Sequence, residues 1–366
     1  MLFGTSKHGY MVALKKVFIF NPEHEFALAN NDENFMPKAS TKKLAEDMAS
    51  LLSWSMQMGE ISVWGWNKYI RKKLILSGID SNILPSDENL QNIRELSHRK
   101  IASEAMIFLR NELKNSPLPY PAEILKNIAE IENFVQKYSE IVLKSPYSSS
   151  GKGVYFSSKN LSSSILGWCK RTIAQQGCVL GEKRFKVVQN FAMLFQIIDN
   201  QTNFVGYSLF ETDGKTYHNN ILKNDEKIEK IICHFGFDLQ LLNAIKQSLI
   251  KFFNQKISKK YSGFLGVDMF VYQENGRNYL NPCVEINLRY TMGLVAHEFY
   301  KNFVSQDSEG IFTLDFYKNS EELLKNHKQK IIDNPLIIND NKMLKGYLSL
   351  CPILKNTNYR ARVEIF

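Results

Sequence analysis

Tyr279-Leu280-Asn281-Pro282-Cys283-Val284-Glu285-Ile286-Asn287-Leu288-Arg289 is the stretch on which the fold turns. In an extended strand, alternate side chains share a face. Val284, Ile286 and Leu288 then face one way, as a core surface, and Glu285, Asn287 and Arg289 face the other. The second face sets an acid, an amide and a guanidinium in a row, with about 7 Å between successive members. A carboxylate and an amide oxygen are hard ligands of the kind Mg²⁺ takes. A guanidinium suits a phosphoryl or carboxylate group. A solvated strand face carrying a salt bridge would present the same residues, so this strand alone leaves two readings open.

Its upstream neighbour shifts the balance. Gly266-Val267-Asp268-Met269-Phe270-Val271 is a strand with one carboxylate in an apolar run, and Gln273-Glu274-Asn275-Gly276-Arg277-Asn278 holds turn residues. The two strands read as a hairpin that sets Asp268 beside Glu285. Facing carboxylates repel one another, and a shared metal relieves that repulsion.

Further upstream, Lys144 ends a short strand and opens the loop Ser145-Pro146-Tyr147-Ser148-Ser149-Ser150-Gly151-Lys152-Gly153. Small residues let backbone N–H groups approach phosphate oxygens. Lys144 and Lys152 add charge for a triphosphate. The spacing is not that of a P-loop, and an ordinary flexible hairpin has the same composition.

The N-terminal part alternates. Residues 17–20 read as a strand, 40–57 as a helix capped by Ser40 or Thr41, 61–64 as a strand, 67–77 as a helix and 82–85 as a third strand. That order predicts a small parallel sheet covered by helices. Helices are expected over 97–114, with Ile101, Ala105, Phe108 and Leu109 as the apolar stripe, and over 122–137 and 160–175. Strands are expected at 141–143, 154–156, 178–180, 191–198, 203–210, 264–272 and 279–289, with one helix between them at 238–257. Helices after Thr291 and near 319–330, and one or two strands from 345 to 366, complete the reading. Residues 1–10, MLFGTSKHGY, are unpatterned and read as disordered, with Met11 a plausible start.

The chain has 366 residues, a formal charge of +9 and five cysteines. That length calls for two or three packed lobes. The lysines are scattered, so the positive balance suits an anionic ligand without forming a nucleic-acid platform. No cysteine pair has CxxC spacing, which argues against a zinc site or disulfide framework and fits a reducing cytoplasm. No apolar stretch is long enough to span a bilayer, and no signal-peptide region opens the chain.

The order of these pieces resembles the ATP-grasp superfamily over roughly residues 97–300. A Lys-ended strand precedes a Ser/Gly flap, then a strand ends in Gly181-Glu182. An Asp strand and an E-x-N-x-R strand follow far downstream. The resemblance implies an α/β and α+β protein. A pre-ATP-grasp, Rossmann-like domain would cover 1–96, a first grasp lobe with the phosphate flap 97–180, and a second lobe with the metal–ATP site 181–366. It implies that Lys144, Ser148, Ser149, Ser150, Gly151, Lys152 and Gly153 bind ATP phosphates. Glu182 would contact ribose or adenine, with Arg99 or Lys100 near the nucleotide. Asp268, Glu285 and Asn287 would hold Mg²⁺ (or Mn²⁺), and Arg289 with Lys144 would act on the transferring phosphoryl group.

The reaction implied is activation of a carboxylate as an acyl phosphate and its transfer to an amine. The substrates would be small molecules or peptides, and a homodimer is compatible with the reading. A kinase or a hydroxyl- or thiol-accepting ligase on the same scaffold, and a non-catalytic nucleotide-binding regulator, are the alternatives. Two clusters are candidates for substrate contact. Asn21, Glu23 and His24, in the loop Asn21-Pro22-Glu23-His24-Glu25, follow the first strand, where ligands of open parallel sheets gather. Tyr217, Asn219 and Asn220 belong to a polar-aromatic stretch that an ordinary hairpin would also explain. His297 and Glu298 read as structural.

Overall fold

The computed structural model describes residues 16–55, 61–148, 151–158, 160–213 and 216–366. The unpatterned residues 1–10 lie outside that set, as do Ser149 and Ser150 of the flap. The chain begins with β1 (Val17–Ile19), α1 (His24–Asn30), α2 (Ala39–Asp47), a 3₁₀ turn (Leu51–Trp54), β2 (Ile61–Val63) and α3 (Lys68–Leu76). A second 3₁₀ turn (Ser81–Ile83) and α4 (Asp87–Leu96) follow. β1 and β2 pair in parallel, Phe18 opposite Ser62.

Three expectations for this layer are corrected. The third strand at 82–85 is absent: Asp80 accepts the backbone N–H of Asn82 and turns the chain, and the sheet has two strands. The helix expected over 40–57 begins at Ala39 and stops at Asp47, and neither Ser40 nor Thr41 caps it. Helix α4 was not anticipated; Ser86 caps it by accepting the Asn89 N–H.

The next unit comprises α5 (Lys100–Glu112), β3 (Glu123–Leu125), α6 (Ile128–Lys137), β4 (Glu140–Lys144), β5 (Val154–Ser158), α7 (Ser163–Gln176) and β6 (Val179–Lys183). Its sheet has the order β3-β6-β4-β5. The helix expected over 122–137 is β3 followed by α6, because Asn127 accepts the Glu130 N–H and so begins the helix six residues later than expected, at Ile128 rather than 122. The boundary expected at 180 falls inside β6, all of which stays with this sheet.

The remainder is β7 (Lys186–Ile198), β8 (Gln201–Asp213), β9 (Thr216–Leu222), α8 (Asp225–Cys233), α9 (Leu239–Lys256), β10 (Gly263–Glu274), β11 (Arg277–Asn287) and α10 (Met292–Phe303). β12 (Gly310–Phe316), α11 (Ser320–Asp333), β13 (Ile337–Asn339), β14 (Lys342–Ser349) and β15 (Tyr359–Ile365) end the chain. The helix expected at 238–257 is α9, capped by Asp238, and an unanticipated helix, α8, precedes it, capped by Asn224. The strands form a nine-stranded sheet of order β11-β10-β7-β8-β9-β12-β15-β14-β13.

Strand alternation divides this sheet between two cores. Leu265, Val267, Met269 and Val271 face one way, into a cluster with α5, α8 and α9. Burying each such side chain contributes about 1.5–3 kcal/mol. Leu194 and Phe264 face the other way, into a cluster with α10 and the N-terminal Phe20, Leu51 and Trp64. Asp268 has the parity of Phe264, so it lies on the face the N-terminal layer covers.

Candidate active site

Two hairpins build the site. The first is β10–β11, closed by Asn275 and Gly276 at φ 50° and 75°. Both central residues of such a two-residue turn lie in the left-handed region, which Asn and Gly accept most readily. Glu274 pairs with Arg277 and Tyr272 with Tyr279, and the register carries Asp268 opposite Glu285, as expected. A bulge sets Pro282, Cys283 and Val284 against Met269 without changing which face Glu285 takes. Asp268 is in turn opposite Ala192 of β7, and Ala192 opposite Ser208 of β8. Glu285, Asp268, Ala192 and Ser208 therefore form one row across four strands.

The row is wired on both sides. Asn287 donates Nδ2 to Asp268 Oδ2 at 3.1 Å, and its Oδ1 accepts from Arg289 Nη2 at 2.9 Å. Arg289 also donates Nη1 to the Tyr290 carbonyl and Nε to Glu25 of α1. Arg99 donates Nη2 to Glu285 Oε1 at 2.9 Å. Burial, with the Glu285 charge adding to it, pushes the Asp268 carboxyl up to about 7, against the opposing pull of Arg289 and Asn287. Burial alone would also raise Glu25, but the Arg289 guanidinium holds it below the ordinary carboxylate range.

The second hairpin is β4–β5, whose connection is the Ser/Gly loop. Lys144, almost wholly buried at the end of β4, donates to Glu182 Oε2 of β6 at 2.8 Å. Arg99, just before α5, clasps the base of the loop: Nη1 donates to the Ser145 carbonyl and Ser148 Oγ, and Nη2 to the Ser148 carbonyl. A Cβ at Gly153 would sit 2.1 Å from Ser145 Oγ, so only glycine fits there. Lys152 is exposed and its Nζ lies 5.7 Å from the Phe26 ring of α1. Of the two basic residues expected near the nucleotide, Arg99 reaches Glu285 while Lys100 makes no side-chain bond to the site.

Between the two sheets lies a cleft of about 410 Å³. Arg99, Gly181, Glu182 and Lys183 line it from one side, and Tyr272 and Tyr279 from the other. The tyrosine rings stack 5.5 Å apart, and Phe185 packs 4.2 Å from Tyr272. Lys183 pairs with Glu274 at its edge. This aromatic wall was not among the expected site residues. Counting outward from Asn275-Gly276 would have paired the two tyrosines.

The loop after β1 reaches the same face. Asn21 Nδ2 donates to the Gly65 carbonyl at 2.8 Å and its Oδ1 accepts the Gly65 N–H, which ties the ends of β1 and β2 together. His24 packs on Gly65 and bonds Asn67, and burial lowers it to about 4, so it is neutral. Glu23 is buried, and burial raises its carboxyl. Glu25, quoted in that loop but not singled out, makes the contact to Arg289.

Tyr217, Asn219 and Asn220 stand apart. They lie on β9, with β8 and β7 between them and β10, about 14 Å across three strand spacings. Tyr217 donates to Asn220, which donates to Ser208 beneath Gly293 of α10; Asn219 pairs with Glu211. His297 lies 3.4 Å from Asp225; burial opposes its charge, but Asp225 and Glu298 outweigh that and hold it up to about 9.

The two carboxylates Asp268 and Glu285 fit a divalent ion that completes its shell with phosphate oxygens and water; Asn287, expected as a third ligand, turns Nδ2 toward Asp268 and gives its Oδ1 to Arg289. Among the described residues no group of three or more His, Cys, Asp or Glu side chains gathers in a way that could hold a metal by itself. Nor is any described helix long and apolar enough to cross a membrane.

No protein-family model and no curated protein matches the chain. Solved structures do. A biotin carboxylase from Campylobacter jejuni, in a β,γ-ATP complex, superposes with TM-score 0.52 at 12% identity, over 97% of this chain and 88% of that one. An N5-carboxyaminoimidazole synthetase from Staphylococcus aureus with ADP gives 0.48 at 13%, over 96% and 95%. An L-amino acid ligase from Bacillus licheniformis gives 0.45 at 11%, over 88% and 79%. At these identities the likeness is one of fold, and the first of them carries it: the chain has the two-lobed ATP-grasp fold with an N-terminal domain.

Proposed function

We propose that the protein is an ATP-dependent ligase that activates a substrate carboxylate as an acyl phosphate and joins it to an amine. The observation that carries this reading is the row of Glu285 and Asp268, wired to Asn287 and Arg289 and joined through Arg99 to an aromatic cleft between two sheets.

In this reading the cleft takes the adenine and ribose, with Glu182 at its edge. Lys144, Ser148 and the loop through Gly151, Lys152 and Gly153 cover the phosphates. Asp268 and Glu285 would hold Mg²⁺, with Asn287 orienting Asp268, and the ion when bound would neutralise charge on the phosphate oxygens. A carboxylate oxygen of the substrate attacks the γ-phosphorus and ADP leaves. The amine nitrogen then attacks the acyl carbon, phosphate leaves, and the nitrogen gives up its proton. Arg289 and Lys144 stabilise charge on the phosphoryl group, and the flap keeps water from the acyl phosphate.

The test is Mg²⁺-dependent release of ADP and phosphate in equal amounts, with pairs of carboxylates and amines drawn from amino acids and short peptides. Turnover that needs both partners supports the ligase. Phosphate transfer to a single hydroxyl compound, with no free phosphate, would replace it with a kinase.

A further inference from the structure

We infer that Glu25 is a positioning residue: it holds the Arg289 guanidinium away from the Asp268 carboxylate, and so keeps that ligand open to the metal. The inference rests on the metal–nucleotide reading above and adds to it a role for the N-terminal domain.

Glu25 comes from α1, in the two-stranded N-terminal layer, and Arg289 from the residue pair after β11. Their side chains are 10% and 14% exposed, so the pair is shielded from solvent. Glu25 is the only carboxylate within ion-pair distance of Arg289 among the described residues. The other two Arg289 bonds go to neutral oxygens, the Tyr290 carbonyl and Asn287 Oδ1. The Trp64 ring lies 5.7 Å from its Cζ and closes one face. Three nitrogens are thus each aimed at a different protein oxygen.

That arrangement also fixes Asn287. Arginine can only donate, so it takes Oδ1, and Nδ2 is left facing Asp268. The amide therefore separates the guanidinium from the aspartate. With Glu25 gone, a buried guanidinium without its counter-charge has Asp268 close by, one amide away. A guanidinium drawn onto Asp268 would compete with a divalent ion for that carboxylate.

The experiment compares ADP binding by calorimetry, with and without Mg²⁺, in the wild type, Glu25→Gln, Arg289→Gln and the double variant. Glu25→Gln keeps the size and an acceptor oxygen, and native circular dichroism with a cooperative melt confirms its fold. Glu25→Gln is expected to weaken Mg²⁺-dependent ADP binding about tenfold, the scale of a lost outer-shell partner. Binding of ADP without Mg²⁺ should change by less than about threefold. In the Arg289→Gln background the same change should have no further effect, because Glu25 acts only through Arg289. Equal Mg²⁺-dependent binding in Glu25→Gln and wild type overturns the inference alone, as does an additive loss in the double variant. ADP binding by the wild type that ignores Mg²⁺ overturns the metal–nucleotide reading and this role with it.

Discussion

Arg99 and Glu285, 186 positions apart in the chain, are joined by a 2.9 Å ion pair whose guanidinium also holds the base of the Ser/Gly loop at Ser145 and Ser148. Arg99 is buried, and about a quarter of the Glu285 side chain is exposed. One side chain therefore links the loop over the phosphate region to a carboxylate of the proposed metal site.

Replacing Arg99 by methionine keeps the bulk and removes every one of these bonds. Breaking a largely buried pair leaves an uncompensated charge and costs about 3 kcal/mol. Urea denaturation should show that loss. Millimolar Mg²⁺ should restore more stability in Arg99→Met than in the wild type, because Glu285 and Asp268 have lost a cation. Unchanged stability, or no added benefit from Mg²⁺, would contradict the role given to Arg99.

Asp268 makes stability depend on pH with a defined sign. Its carboxyl is raised from an ordinary 3.8 to about 7. Between those values the folded chain holds a proton that the unfolded chain has released, so stability of the ligand-free protein falls as pH rises through the window. A metal takes the place of that proton. The rise in melting temperature produced by Mg²⁺ with ADP should accordingly be larger at pH 8 than at pH 5.5. An equal or reversed difference would show that Asp268 is not a ligand.

Gly153 tests the loop from its other end. An alanine there would meet Ser145 Oγ at 2.1 Å and Ser148 Oγ at 2.5 Å, the same serine that accepts from Arg99. The base of the loop must move, at a cost of about 1–3 kcal/mol. Gly153→Ala should melt at a lower temperature and bind ADP more weakly. Normal ADP affinity in a destabilised variant would separate the loop from nucleotide binding.

Much of the site was legible because it is written in local patterns. Period-two alternation gave the faces of Glu285, Asn287 and Ile286, and the Asn275-Gly276 turn gave the hairpin; counted from that turn alone Asp268 would face Cys283, and the bulge at 282–284 brings Glu285 opposite it. The hairpin of 141–143 with 154–156 was legible for the same reason. What escaped depends on contacts distant in sequence. Nothing local shows that Glu25 meets Arg289, or that Arg99 rather than Lys100 turns inward. The polar stretch at 217–220 was open to a pocket or an ordinary hairpin, and strand order puts it in a hairpin three strands from Asp268. The errors of element, at 82–85 and 122–127, arose where Asp80 and Asn127 used side-chain caps to redirect a backbone whose apolar content read otherwise.

The most direct test of the account is titration of ADP into the protein in the presence of Mg²⁺, comparing the wild type with Glu285→Gln. The wild type should bind with an affinity that falls when Mg²⁺ is chelated. Glu285→Gln, still folded, should bind at the chelated level whether or not Mg²⁺ is present. Retention of full Mg²⁺-dependent binding in Glu285→Gln would remove the metal site from this strand and with it the central claim.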